Sequence, residues 1–277
     1  MSESLSNLRR PVAILAFDGW NDAADAATAA VDHLASSYDA EMVFEVDGED
    51  YYDFQVNRPM VVKDGSHSEI IWPALRLSIA HLPSRDLVLV QGPEPNFRWR
   101  AFSQSLVSAL RTVRPELVIV MGAMLSDSPH SRPVAVSGTT DDAELASKLG
   151  LEISDYEGPT GITGVVSEAC RRAGLPVVSL WAAVPHYVSE PPNPPATLAL
   201  VTRIEDLLDE ALDLADLPEQ AQAWHRGVDE LAAEDPDIAE YIARLEARQD
   251  EEELPEATGD AIAAEFQRYL RRRGQGK

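Results

Sequence analysis

Short, unbroken runs of branched apolar residues alternate with amphipathic stretches over roughly the first two hundred positions. "VAILAF" (12–17), "DLVLVQG" (86–92), "PELVIVMGA" (115–123) and "LPVVSLWAAV" (175–184) are strand-length. They lack the polar alternation of a half-exposed strand, which is the pattern of strands covered on both faces. "EMVFEVD" (41–47) alternates and predicts another strand, and "VAVSGTT" (134–140) predicts a sixth. Between them, the alanine-rich "DAADAATAAVDHLASSY", "RAFSQSLVSALRTV", "DDAELASKLG" and the segment around "VVSEACRRAG" have helical propensity. Strands alternating with helices predict an α/β fold, a three-layer sandwich about a mostly parallel sheet.

The alternation ends near residue 200. Beyond it Ile204, Leu207, Leu208, Ala211 and Leu212 share one helical face, and Trp224, Val228, Leu231, Ile238, Tyr241, Ile242 and Leu245 predict further helices. The chain is therefore divided into an α/β core, 1–200, and an acidic helical C-terminal extension, 201–277. Within the extension, "RQDEEELPEATGD" (248–260) reads as a solvated linker and "AIAAEFQRYLRRR" as a terminal helix of opposite charge. There are no internal repeats.

Charge narrows the partners. The 277 residues carry a formal net charge of −24, a surface that repels nucleic-acid phosphates and anionic lipid headgroups, so neither nucleic acid nor a membrane is an expected partner. No run approaches the roughly 18 apolar residues of a membrane span, and the N-terminus has no long apolar segment before a small-residue cleavage site. A cytoplasmic protein is expected. The single cysteine, Cys170, excludes an intrachain disulfide and a cysteine-rich zinc site, and its position fits a small buried helix residue.

Candidate chemistry gathers where the strand-like runs end. "FDGWND" supplies Asp18, Trp20 and Asn21; "GPEPNFRWR" supplies Asn96, Arg98 and Trp99; "AMLSDSPHSRP" supplies His130 and Arg132; "AVPHYVSEPPNPPAT" supplies His186. "YEGPTGITGVV" (156–166) adds Tyr156, Gly158, Gly161 and Gly164 ahead of a helix. In an open parallel sheet the carboxyl ends of the strands face a common crevice where ligands bind, so these residues are the candidate ligand-binding set. The three glycines invite a phosphate-cradle reading, because a helix start offers free N–H groups. Yet Glu157 sits beside them and no lysine follows, and glycines that let a helix approach a sheet account for the spacing. No catalytic residue is assigned: a G-x-S-x-G elbow, a P-loop, a dinucleotide fingerprint after the first strand and an H-E-x-x-H pair are all absent from the sequence. The six histidines are scattered, so neither a metal nor a cofactor is expected. Asp22 reads as a helix cap.

"LAFDGWNDAADAATAAVDHL", "DFQVNRP", "GPEPNFRWRAF", "YEGPTGITGVV" and "SLWAAVPHYVSEPPNPPATLALV" together resemble the proteasome assembly chaperone family, in its bacterial, actinobacterial-type branch, over roughly residues 10 to 210. The resemblance implies a phosphorylase/hydrolase-like fold related in topology to purine nucleoside phosphorylases, and a homo-oligomer, with a trimer as the expected arrangement. It implies a non-enzymatic assembly-chaperone-like or scaffold protein acting through contacts with protein partners, proteasome-related ones among them. Some relatives dock through a C-terminal hydrophobic–Tyr–X tail; here Tyr269 lies far from the last residue, Lys277, and the basic "RRRGQGK" follows it after Leu270. The alternative is a small-molecule binder or enzyme of nucleoside phosphorylase/hydrolase type that uses the strand-end crevice.

Overall fold

The computed structural model describes residues 7–253. In chain order it contains β1 (Val12–Asp18), α1 (Ala26–Ser37), β2 (Glu41–Val46), β3 (Met60–Asp64), β4 (His67–Ile71), β5 (Leu75–His81), β6 (Asp86–Pro93), α2 (Trp99–Val113) and β7 (Leu117–Ser126). It continues with β8 (Val136–Thr140), α3 (Ala143–Leu149), β9 (Glu152–Ile153), α4 (Ile162–Arg172), β10 (Val177–Pro185), α5 (Pro194–Leu208), α6 (Leu217–Glu234) and α7 (Pro236–Glu253). Eight strands make one sheet in the order β2-β5-β6-β1-β7-β10-β8-β9, and β3 pairs with β4 as a separate ribbon.

The sheet centre follows from the four unbroken apolar runs. β6, β1, β7 and β10 pair in parallel, and alternate side chains of β1 enter opposite layers. Val12, Ile14 and Ala16 pack with the apolar faces of α1 and α5, including Leu34, Leu200 and Ile204. Ala13, Leu15 and Phe17 pack with α2 and α4, including Phe102, Leu106, Val166 and Cys170. This is the three-layer α/β/α sandwich about a mostly parallel sheet that the alternation predicts. Cys170 is buried and unpaired in α4, and burial pushes its thiol up to about 12, as befits a packing residue.

The edges differ from the expectation. β5 is a full strand pairing antiparallel with both β2 and β6, where the sequence reading placed none. Its alternation, with Leu75, Leu77 and Ile79 in the core and Arg76 and Ser78 between them, is weaker than an unbroken run. β8 is antiparallel to β10, an orientation that strand composition does not encode. The β3–β4 ribbon leaves Met60, Val61, Ile70 and Ile71 exposed. α5 runs through residue 200 with Ile204 and Leu208 buried among the core residues. Its end is held by a buried ion pair, Arg85 Nε to Glu210 Oε2 at 2.9 Å, with Arg85 also donating to the Leu208 carbonyl. α7 continues to Glu253, so 248–253 is helical rather than linker; the terminal helix expected at 261–273 lies outside the described residues.

The turn after β1 is shaped by one acid. The alanine-rich helix begins at Ala26, after a 3-10 turn at Ala23–Asp25 in which Ala24 and Asp25 take φ of 53° and 54°. Asp22 is buried and accepts from Ala27 N at 2.6 Å and Thr28 N at 2.9 Å, satisfying the first free amides of α1. Burial raises its carboxyl above the ordinary carboxylate range, against the hydrogen bonds from Thr28 and Ala27. Asp22→Ala strands those two buried donors, so chemical denaturation should show a loss of about 2 kcal/mol. An unchanged midpoint would refute the capping role.

Candidate functional site

At the carboxyl ends of β1, β6, β7 and β10 lies a crevice of about 660 Å³. Its walls are aromatic: Trp20, Trp99, Tyr156 and Trp181 all line it. Register builds one wall. Trp181 of β10 lies opposite Gly122 of β7, and a Cβ at 122 would sit 2.5 Å from the indole, so only glycine lets the ring lie flat there. Trp20 stands fully exposed at 101%. Trp99 is fixed by its indole N–H donating to the Pro95 carbonyl at 2.6 Å.

The glycine loop turns out to be already filled. Gly161 is the cap position of α4, and the first amide of that helix, Ile162 N–H, donates to Glu94 Oε1 at 2.9 Å. A Cβ at Gly161 would lie 3.3 Å from the same oxygen, so the glycine makes room for the chain's own carboxylate. A negative group belongs at a helix N-terminus, and here Glu94, the residue just past β6, supplies it. Gly164 has a separate reason, since any side chain there would run into Thr160. Gly158 sits where Tyr156 folds back to donate its hydroxyl to the Pro159 carbonyl. None of the three has positive φ.

Charge in the crevice has one sign. Glu94, Glu152 and Asp155 line it, and among the described residues no lysine or arginine does. Asn21 also lines it and is only 6% exposed. Its Nδ2 donates to the Phe17 carbonyl at 3.0 Å, while its Oδ1 finds no partner among the described residues. Its charged lining among the described residues is carboxylate alone, beside neutral Ser and Thr hydroxyls, so it suits a cationic ligand with apolar bulk and disfavours phosphate.

The remaining candidates lie elsewhere. Asp18 lines a neighbouring cavity of about 750 Å³ with Asp25 and Arg58, where burial and the charge of Asp18 raise the Asp25 carboxyl. Asn96 binds the backbone of Asp53 and the side chain of Asn57, and Arg98 pairs with Asp50 at 2.6 Å; both pin the 47–57 loop. His130, Arg132 and His186 sit at the strand ends as expected, but their side chains engage α6 and α7. His130 is buried, with Nδ1 2.7 Å from the Tyr187 hydroxyl and Nε2 3.0 Å from Asp229. Its own backbone N–H donates to that hydroxyl. All contacts are used when Tyr187 O–H donates to Nδ1 and Nε2–H donates to Asp229. Burial pushes the Tyr187 phenol up to about 12, which keeps that proton in place. Arg132 binds Asp250 bidentately at 2.8 Å. His186 lies 3.3 Å from Asp127 and 3.4 Å from the Tyr241 hydroxyl. These three residues clasp the helical extension and do not reach the crevice.

Trp181, Glu152 and Asp155 were missed as site residues in the sequence. For Trp181 a signal existed: Val178, Leu180, Ala182 and Val184 enter one layer, so period two places Ser179 and Trp181 on the other. Glu152 and Asp155 come from a two-residue strand and the loop after it, with no periodic signature. Among the described residues no cluster of histidine, cysteine and acids is placed to hold a metal, and no helix is long and apolar enough to cross a membrane.

Glu94→Ala should lower stability by about 1–2 kcal/mol through the freed helix amide, and inorganic phosphate should leave the melting temperature of the unaltered chain unchanged. A phosphate-induced rise would contradict the occupied helix terminus. Burial and the nearby His130 lower the His225 pKa below its ordinary value, with Asp229 opposing. The unfolded chain therefore binds that proton more readily, so His225 contributes stability above about pH 6.5 that is lost as pH falls through its folded value. His225→Gln should flatten the fall in melting temperature between about pH 7 and pH 5; an unaltered slope would count against it.

The PAC2 family pattern matches residues 16–232. A PAC2 family protein from Streptomyces avermitilis is 55% identical, with a TM-score of 0.79, covering 84% of this chain and 99% of its own. A proteasome-assembly chaperone homologue from Mycobacterium tuberculosis is 51% identical at TM-score 0.75, with the same coverage of 84% and 99%. An archaeal proteasome activator from Pyrococcus furiosus shares the fold at TM-score 0.65 but only 14% of the sequence, covering 81% of this chain and 94% of its own. No curated protein matches the chain. With more than half of its length matched, the chain belongs to the PAC2 family.

Proposed function

We propose that the protein is an assembly-chaperone-like adaptor or scaffold that works through protein–protein contacts in the cytoplasm, without catalysis, on a proteasome-related partner. The observation that carries this reading is the strand-end face. Trp20, Phe97, Met124, Leu125, Ile153 and Tyr156 are all exposed there or beside it, a concentration of apolar side chains that marks an interaction surface. The fully exposed Trp20 has the character of an interface anchor. Similarity to a proteasome-assembly chaperone homologue supports the partner class. A homo-oligomer, with three subunits as the expected number, belongs to the same reading.

A second reading is kept because the crevice has the volume of a small-molecule site: a nucleoside-type ligand enclosed by the aromatic walls. Its acidic lining favours a neutral or cationic ligand over a phosphorylated one.

Binding of the purified chain to unassembled proteasome core subunits from a Streptomyces or Mycobacterium species separates the two. The adaptor reading expects saturable binding that Trp20→Ala weakens by about 2 kcal/mol, and it fails if neither the subunits nor the assembled core binds. The ligand reading expects a nucleoside at 100 times its dissociation constant to stabilise by about 2.7 kcal/mol, and it fails if no nucleoside shifts the melt.

A further inference from the structure

The crevice asks for a cation-bearing, aromatic-compatible chain, and this protein contains one. Residues 266–277, "FQRYLRRRGQGK", hold Arg268, Arg271, Arg272, Arg273 and Lys277 and no acid, within a chain of net charge −24. Phe266, Tyr269 and Leu270 give the same stretch its apolar part. We infer that this basic terminal segment seats in the acidic aromatic crevice of its own chain, so that the protein carries a built-in competitor for the site its partners use. The inference rests on the strand-end face, with its crevice, being a protein-contact surface, as the first reading of the proposed function has it.

Three observations carry it. The first is chemical complementarity: Glu94, Glu152 and Asp155 face the same cavity as Trp99, Tyr156 and Trp181, and guanidinium groups both pair with carboxylates and stack on aromatic rings. The second is an unmet acceptor. The Asn21 Oδ1 is buried with no partner in the described chain, which costs free energy until an N–H donor arrives.

The third is reach. The last turns of α7 lie against the end of β7: Arg248 donates to the Asp127 carbonyl at 2.6 Å, and Arg132 holds Asp250. Met124, three residues before Asp127 on that side of the fold, lines the crevice, a strand distance of about 10 Å. From residue 253 to Phe266 the chain can span up to about 45 Å. The described chain thus ends within reach of the crevice.

The test uses the full-length chain throughout, with a fluorescein-labelled synthetic peptide of residues 261–277 as probe and anisotropy as readout. A tethered segment competes at an effective concentration of order millimolar. The triple variant R271S/R272S/R273S should therefore bind the added peptide at least about tenfold more tightly than the unaltered chain. Adding E152Q and D155N to the triple variant should weaken that binding again by about tenfold. Equal affinity of the unaltered chain and the triple variant would overturn self-occupancy while leaving the crevice a peptide site. No binding to the triple variant would overturn the inference outright, and the adaptor reading would then stand or fall on subunit binding alone. Light scattering adds a further check: a mass that falls in the triple variant relative to the unaltered chain would place the segment in a second copy and overturn occupancy of its own chain.

Discussion

One carboxylate organises the strand-end face. Glu94 leaves β6 with its amide bound to the Asp18 carbonyl at 2.8 Å and its side chain bound to the first amide of α4. It thereby joins the ends of two central strands to the start of a helix on one face. The helix terminus is neutralised internally, so the one place where an open α/β sheet commonly receives an anion is already occupied. Everything else at that edge follows: Gly161 is small because the carboxylate needs the space, and the crevice beyond it is walled by rings and lined by acceptors. The crevice has the opposite electrostatic preference from a phosphate site.

The same edge shows how residue type can mislead. His130, Arg132 and His186 have the side chains of a proton relay or an anion site, yet each is spent on holding α6 and α7. The partners explain why. Asp229 and Asp250 come from the acidic extension, so the basic and imidazole groups at the ends of β7 and β10 are the complement of that acidity. What reads in isolation as a solvated acidic helix has one face tied down by charge-assisted hydrogen bonds. The extension is thus part of the roof over one half of the strand ends, leaving the other half, between Trp20 and Trp181, open.

The legible parts of the fold were those with local causes. β1, β6, β7 and β10 declare themselves because strands buried on both faces need unbroken apolar runs, and the alanine-rich and amphipathic stretches between them have nowhere else to pack. β5 escaped because Arg76 and Ser78 interrupt it, and the β3–β4 ribbon because a strand exposed on both faces has no pattern to show. For the site, the location at the strand ends, and Trp20, Asn21, Trp99, Tyr156 and the glycine loop within it, could be read in advance. The division of that edge into crevice and clasp could not, since it depends on pairs such as His130 with Asp229, 99 residues apart in the chain. The glycine spacing was informative about crowding, but the crowding group was Glu94, 68 residues away from Ile162.

The β3–β4 ribbon carries a consequence for how the protein behaves in bulk. A two-stranded ribbon with Met60, Val61, Ile70 and Ile71 exposed presents free backbone edges and apolar faces, the combination that templates strand-to-strand aggregation. Lys63, Asp64 and Glu69 interrupt it only at the tip and middle. Colloidal protection must then come from the molecule as a whole, and a net charge of −24 per chain supplies it by opposing non-specific association of particles at low ionic strength. Salt screens such repulsion, so the acidity that looks incidental to the fold sets the concentration at which the protein can be stored, and in what buffer.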